Sequence, residues 1–136
     1  PPFINLGKLG LYFGLQGMQF TATSTVAENQ TLSFPMYVHS IPNNNDNQDM
    51  VSMGCNAALM TRKVIDNGFD VLAIQTMALA QSIDFLKCQP RLSTFSRKFY
   101  EEVRSLVGPI VEDEPRYKDI QTVRKYLLTL GSSISL

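Results

Sequence analysis

At 136 residues the chain is long enough for one domain with a sizeable buried core. Its 12 basic and 12 acidic side chains cancel, and no basic stripe or polybasic cluster occurs, which argues against nucleic acid or a membrane surface as partner. Charged residues make up only 18%, below the usual quarter, so much of the surface is expected to face other protein.

Residues 1–8 read as an opening loop. From Leu9 to Asn29, small residues alternate irregularly with large apolar ones, and a helix over 9–29 is expected. Gly10, Gly14 and Gly17 fall four and three apart, on one helix face, which predicts a very close neighbour. The uncharged stretch Leu9 to Ala27 is too polar for a membrane span, and no signal peptide precedes it. The start at Pro1-Pro2 is that expected of a piece of a longer protein. Asn29-Gln30-Thr31 fits a glycosylation sequon and is read as coincidence.

Residues 30–48 carry Pro35 and Pro42, which no single helix tolerates. Phe34, Met36, Tyr37, Val38 and Ile41 are too apolar for disorder, so a long packed loop is expected. Its last part, Asn43 to Asp49, is made wholly of amides and carboxylates. Asp49 is expected as the N-cap of one long helix over 49–86, broken or bent near Gly68. Within it "DVLAIQTMALAQSIDFL" is apolar around much of the helix, which implies burial on several sides. Ser93 caps a helix over 93–107 that Gly108-Pro109 ends, and Asp119 caps a last helix over 119–130. From Gly131 the tail is expected to fray. Together these elements predict an all-α chain of long bundled helices. Cys55 and Cys88 would lie roughly 50 Å apart along one helix, so both are expected as reduced, structural thiols.

Three readings compete for the amide run: a plain surface loop, a metal loop, or one wall of an active site. The metal reading fails on spacing. From Asn43 a calcium loop needs glycine where Gln48 stands and glutamate where Gly54 stands. His39 is the only histidine, so neither a zinc cluster nor a serine triad can be assembled, and no metal is expected. A polar loop before a helix start can serve an anion or a zwitterion, because free N–H groups and amides lie side by side.

"AENQTLSFPMYVHSIPNNNDNQDMVSMG" (Ala27 to Gly54) and "VLAIQTMALAQSIDF" (Val71 to Phe85) resemble the C-terminal portion of the histidine and aromatic (phenylalanine/tyrosine) amino acid ammonia-lyases. The shared motifs, in order, are Ala27-Glu28-Asn29, Pro35, Ser40-Ile41-Pro42, Asn47-Gln48-Asp49, Val51-Ser52-Met53-Gly54, Leu72-Ala73-Ile74 and Ala80-Gln81-Ser82-Ile83-Asp84. The similarity covers about residues 10–86 well. It implies bundled helices, a cytoplasmic homotetramer with active sites built from three subunits, and elimination of ammonia from an amino acid substrate. It also implies a 4-methylideneimidazol-5-one electrophile made from Ala-Ser-Gly, a tripeptide this sequence lacks, so this chain forms none and alone is expected to be inactive. By the same resemblance Gln48 lines the active site as the catalytic candidate. Asn44 and Asn47 join Gln48 as substrate-binding candidates, with Asn47 bracing it. A glutamine at 48, where histidine lyases carry glutamate, tilts the expected substrate towards an aromatic one. Phe34 and the run Met36-Tyr37-Val38-His39 depart from the family pattern. The competing expectation is a helical assembly module of the same fold without catalysis, and an aminomutase is the enzymatic alternative.

Overall fold

The computed structural model describes residues 2–45, 47, 48 and 50–133. Four helices carry the fold: α1 (Gln16–Leu32), α2 (Gly54–Leu86), α3 (Thr94–Leu106) and α4 (Tyr117–Ser133), with 3-10 turns at Pro2–Ile4, Met36–His39 and Gln89–Arg91. Among the described residues there is no strand beyond one isolated bridge, so the chain is all-α.

α2 is the axis of the bundle. Its buried residues are Asn67, Ala73, Ile74, Met77, Ala80 and Gln81, the i, i+3, i+4 and i+7 spacings that keep side chains on one face. α1 packs along it, α4 packs beside it, and α3 closes the far end. The core joins Ile74 and Met77 of α2 to Leu15 and Met18 at the start of α1, Val103 of α3, Val107 and Ile110 beyond it, and Val123 of α4. By length and hydropathy α2 could cross a membrane, but here it is the helix on which the other three pack.

Two polar groups are buried in this helix, and each holds a neighbour. Asn67 Nδ2 donates to Glu28 Oε2 at 2.7 Å and to Asn29 Oδ1 at 2.8 Å, fastening α1. Gln81, fully buried, donates to the Ile110 carbonyl at 2.7 Å and the Ile4 carbonyl at 3.3 Å, and accepts from the Ile110 N–H at 3.0 Å. One side chain thus ties three separate stretches of chain. Beside it Asp84 pairs with Arg104 and accepts from the Tyr100 hydroxyl. On the opposite flank Arg124 of α4 reaches Asp66 at 2.8 Å and Asp70 at 3.1 Å.

Several boundaries differ from those the sequence predicts. α1 opens at Gln16 rather than residue 9, because Gly10 (φ 82°) and Gly14 (φ 62°) are left-handed turn residues. The glycine face is therefore not a packing face: a Cβ on Gly17 would meet nothing within 4 Å, whereas one on Gly14 would lie 2.8 Å from the Phe3 carbonyl oxygen. α1 also runs on to Leu32, three residues past Asn29. α2 begins at Gly54, after Met53 in a left-handed conformation (φ 52°), and not at 49. Asp49, the expected N-cap, and Asp46 of the amide run lie outside the described residues. α2 passes Gly68 unbroken, since Asn67 turns inward to α1 rather than ending the helix. It stops instead at Lys87 (φ 52°), where the Lys87 N–H bonds Asp84 and the Cys88 N–H bonds Ile83, a Schellman closure. Ser93 caps α3 as expected, its Oγ accepting from the Ser96 N–H at 3.2 Å. α4 starts at Tyr117, so Asp119 sits inside its first turn and pairs with Arg116 rather than capping. The backbone expected to fray from Gly131 is helical to Ser133, and 134–136 lie outside the described residues. Cys55 is exposed, near the start of α2, and Cys88 lies just past its end.

Candidate functional site

The amide run folds as a tight turn at one end of α2. Pro35 ends the α1 register, Met36–His39 makes one 3-10 turn, and Ser40 leaves it extended (ψ 124°). The Asn43 N–H then donates to the Gln48 carbonyl at 3.1 Å, and the Gln48 N–H returns a bond to Asn43 at 3.3 Å. Inside this pair Asn44 (φ 55°) and Asn45 (φ 54°) are both left-handed, a conformation asparagine tolerates better than other non-glycine residues. The Asn47 N–H closes onto the Asn44 carbonyl at 3.2 Å. At the base of the turn the Val51 N–H donates to Ser40 Oγ at 2.8 Å.

The fold therefore gathers Asn44, Asn47 and Gln48 into one six-residue turn and leaves all three exposed. The brace on Gln48 comes from Asn43 across the bridge. Asn47 instead shapes the turn through the Asn44 carbonyl. Chemically the turn offers carboxamides that both donate and accept, held on an ordered backbone. Around it stand apolar side chains that this chain does not cover: Tyr37 is 70% exposed, Ile41 68% and Met50 86%. The loop expected to be packed is thus open on its outer side. The 3-10 turn leaves Tyr37 70% and Val38 53% exposed. A groove of about 330 Å³ between the end of α1, this turn and the first turns of α2 is lined by Leu32, Phe34, Tyr37, Met60 and Val64. His39 lies against the Phe34 ring at 5.5 Å and serves as a loop residue.

Sequence reasoning missed the tie from Ser40 to Val51, which no spacing announces. It also missed two polar ties of the fold away from the turn, Asn67 and Gln81, which did leave a signal: each interrupts the apolar stripe of α2, fourteen residues apart on one face.

Comparison with known proteins gives a single picture. The family described as aromatic amino acid lyase matches residues 1–105. The MIO-dependent tyrosine 2,3-aminomutase of Streptomyces globisporus is 40% identical over 123 residues, covering 90% of this chain and 23% of that protein. The histidine ammonia-lyase of Caldanaerobacter subterraneus is 42% identical over 120 residues, with 88% and 23% covered. Among solved structures, tyrosine aminomutase from Streptomyces globisporus superposes with a TM-score of 0.88 at 35% identity, covering 100% of this chain and 27% of that one. Histidine ammonia-lyase from Trypanosoma cruzi gives a TM-score of 0.86 at 32% identity, with 96% and 25% covered. The chain spans about a quarter of the length of these relatives.

Proposed function

The chain belongs to the aromatic amino acid lyase family, and from that premise we propose that it is the C-terminal part of an enzyme that eliminates ammonia from an aromatic amino acid or from histidine, giving an α,β-unsaturated acid. The observation that carries this reading is the exposed Asn43–Gln48 turn, an ordered set of amides that this chain alone leaves without a facing wall. In the proposed site Gln48 is the catalytic candidate, and Asn44 and Asn47 complete the polar edge that receives the substrate.

The family's electrophilic ring is built from Ala-Ser-Gly, and no such tripeptide occurs in this chain. The residues present do not fit it. The role of this segment is to hold hydrogen-bonding groups against the substrate. A neutral carboxamide at 48 serves a polar group without fixing a countercharge, which suits an aromatic substrate. A carboxylate there would favour a cationic amine or imidazole through a charge-assisted bond. An aminomutase is the second reading, favoured by the tyrosine aminomutase named among the relatives. A helical module without catalysis is the third. The apolar belt around the turn fits a site closed by the rest of the enzyme and by neighbouring subunits of a homotetramer, in the cytoplasm.

The test has two parts. The purified 136-residue chain is expected to release no cinnamate, coumarate or urocanate from phenylalanine, tyrosine or histidine. Steady product formation would refute the division of labour. In the complete enzyme Gln48→Ala is expected to slow turnover roughly ten- to a hundred-fold, the worth of one lost bond to a polarised group. Gln48→Glu is expected to raise histidine turnover relative to tyrosine and phenylalanine.

A further inference from the structure

We propose that Ser40 is the positioning residue for Gln48, an inference that rests on the site reading above. The turn is closed twice. The inner closure is the backbone pair Asn43 and Gln48, bonded both ways at 3.1 and 3.3 Å. The outer closure is the Val51 N–H donating to Ser40 Oγ at 2.8 Å. Ser40 and Val51 lie three residues outside the inner pair on either arm, and the side-chain bond joins the two arms there.

The need for this second closure follows from the rest of the turn. Asn44 and Asn45 are both left-handed, and such a backbone persists only where its surroundings hold it. The turn has little packing of its own, since Asn43, Asn44, Asn45, Asn47, Gln48 and Met50 are all exposed. Beyond Val51 the chain reaches Met53, also left-handed, and then the rigid start of α2 at Gly54. The bond from Ser40 therefore anchors the preceding arm to the arm that leads into α2. Gln48 sits between these anchors, and its placement depends on both. A side chain required to meet a reacting group loses rate steeply when displaced by about 1 Å. In this proposal Ser40 acts on the reaction through the placement of Gln48.

The experiment uses the complete enzyme with Ser40→Ala, Ser40→Thr, Gln48→Ala and the Ser40→Ala/Gln48→Ala pair. Hydrogen exchange of the peptide spanning 40–53 is read alongside kcat and KM. Ser40→Ala is expected to speed exchange at Val51 and Gln48. It should lower kcat about tenfold with the same split between kcat and KM as Gln48→Ala. Ser40→Thr keeps the γ-oxygen and is expected to restore both exchange and turnover. The pair is expected to be no slower than Gln48→Ala alone, because a positioning residue has nothing left to position. Losses that multiply in the pair overturn this proposal and leave the site reading standing. Faster exchange with unchanged kcat in Ser40→Ala overturns it as well. Parent-like turnover in Gln48→Ala sinks the site reading, and this proposal with it.

Discussion

Replacing Gln81 by leucine tests whether the polar centre of α2 supports the fold or merely occupies it. Leucine has nearly the same reach but can neither donate nor accept. The Ile110 N–H and carbonyl, now bonded at 3.0 and 2.7 Å, would both lose their partner in a place where Ile110 is only 4% exposed. An unsatisfied buried group costs about 1–3 kcal/mol, so the two together give about 2–6 kcal/mol. The Ile4 carbonyl is only partly buried and can turn to water, so it adds little. Burying leucine in place of an amide returns about 1–2 kcal/mol. The net expectation is a loss of about 1–4 kcal/mol, against the 5–15 kcal/mol typical of a domain. Urea unfolding followed by circular dichroism measures it as a lower midpoint at unchanged slope. Gln75→Leu is the control: the same chemical change on the exposed side of the same helix, expected to fall within about 0.5 kcal/mol of the parent. If Gln81→Leu also stays within that margin, the three-way tie carries no net energy and the reasoning fails.

Gly68→Ala is expected to stabilise the chain by up to about 1 kcal/mol, since α2 is continuous there and an added Cβ meets nothing within 4 Å. A loss would mean that the helix bends at Gly68. Gly14→Ala is expected to cost more than Gly10→Ala. Both are left-handed, but only at Gly14 does a Cβ strike backbone, 2.8 Å from the Phe3 oxygen, and comparison of the two midpoints decides it. Tyr126 donates to Glu102, and its burial, followed by that carboxylate, pushes its hydroxyl from 10.0 up to about 12. The folded state keeps this proton to higher pH than the unfolded one, so the stabilisation is whole below pH 10.0 and is lost as pH climbs to about 12. Ultraviolet titration should show one late tyrosine that Glu102→Gln brings forward. A single common step for all 5 tyrosines would contradict it. The 136-residue chain is expected to self-associate through Phe20, Leu72, Leu79 and Phe95, and a clean monomer in sedimentation at high concentration would count against this.

Much of the fold was legible because helices announce themselves by period. α3 was bounded within a residue or so, since Ser93 is a strong cap and Gly108-Pro109 a strong stop. The start of α1 was misread for a reason that lies in glycine itself. The same residue permits close helix packing and left-handed turns, and spacing cannot separate the two uses. Gly10 and Gly14 took the second. Asn67-Gly68 suggested a break or bend in α2 because that dipeptide ends many helices. Here tertiary contact decided otherwise: Asn67 found Glu28 and Asn29 across the interface, and a paired amide no longer competes with the helix backbone. The start of α2 falls at Gly54, after the left-handed Met53, and no local pattern announces it.

The amide turn was legible in its residues and not in its frame. A run of asparagines marks a turn because asparagine accepts a left-handed backbone, and Asn44 and Asn45 do so. What the composition could not reveal is which way the turn would face. The sequence placed apolar residues on several sides of α2 and along 34–41, and burial was the natural expectation. In the folded chain Leu59, Ile65, Leu72 and Leu79 remain about half exposed or more, and so do Phe34, Tyr37, Val38 and Ile41. The second group lies on the stretch of chain that leads into the amide turn. An apolar surface of this extent is costly to leave in water, and a carboxamide in bulk water gains little from any single partner. Both features gain from the same event, the covering of this end of the bundle by further protein. Such a cover would bury the apolar belt and lower the dielectric around Asn44, Asn47 and Gln48, where each amide then counts for more. On the proposed function the open face and the exposed amides share one requirement, a protein cover over this end of the bundle.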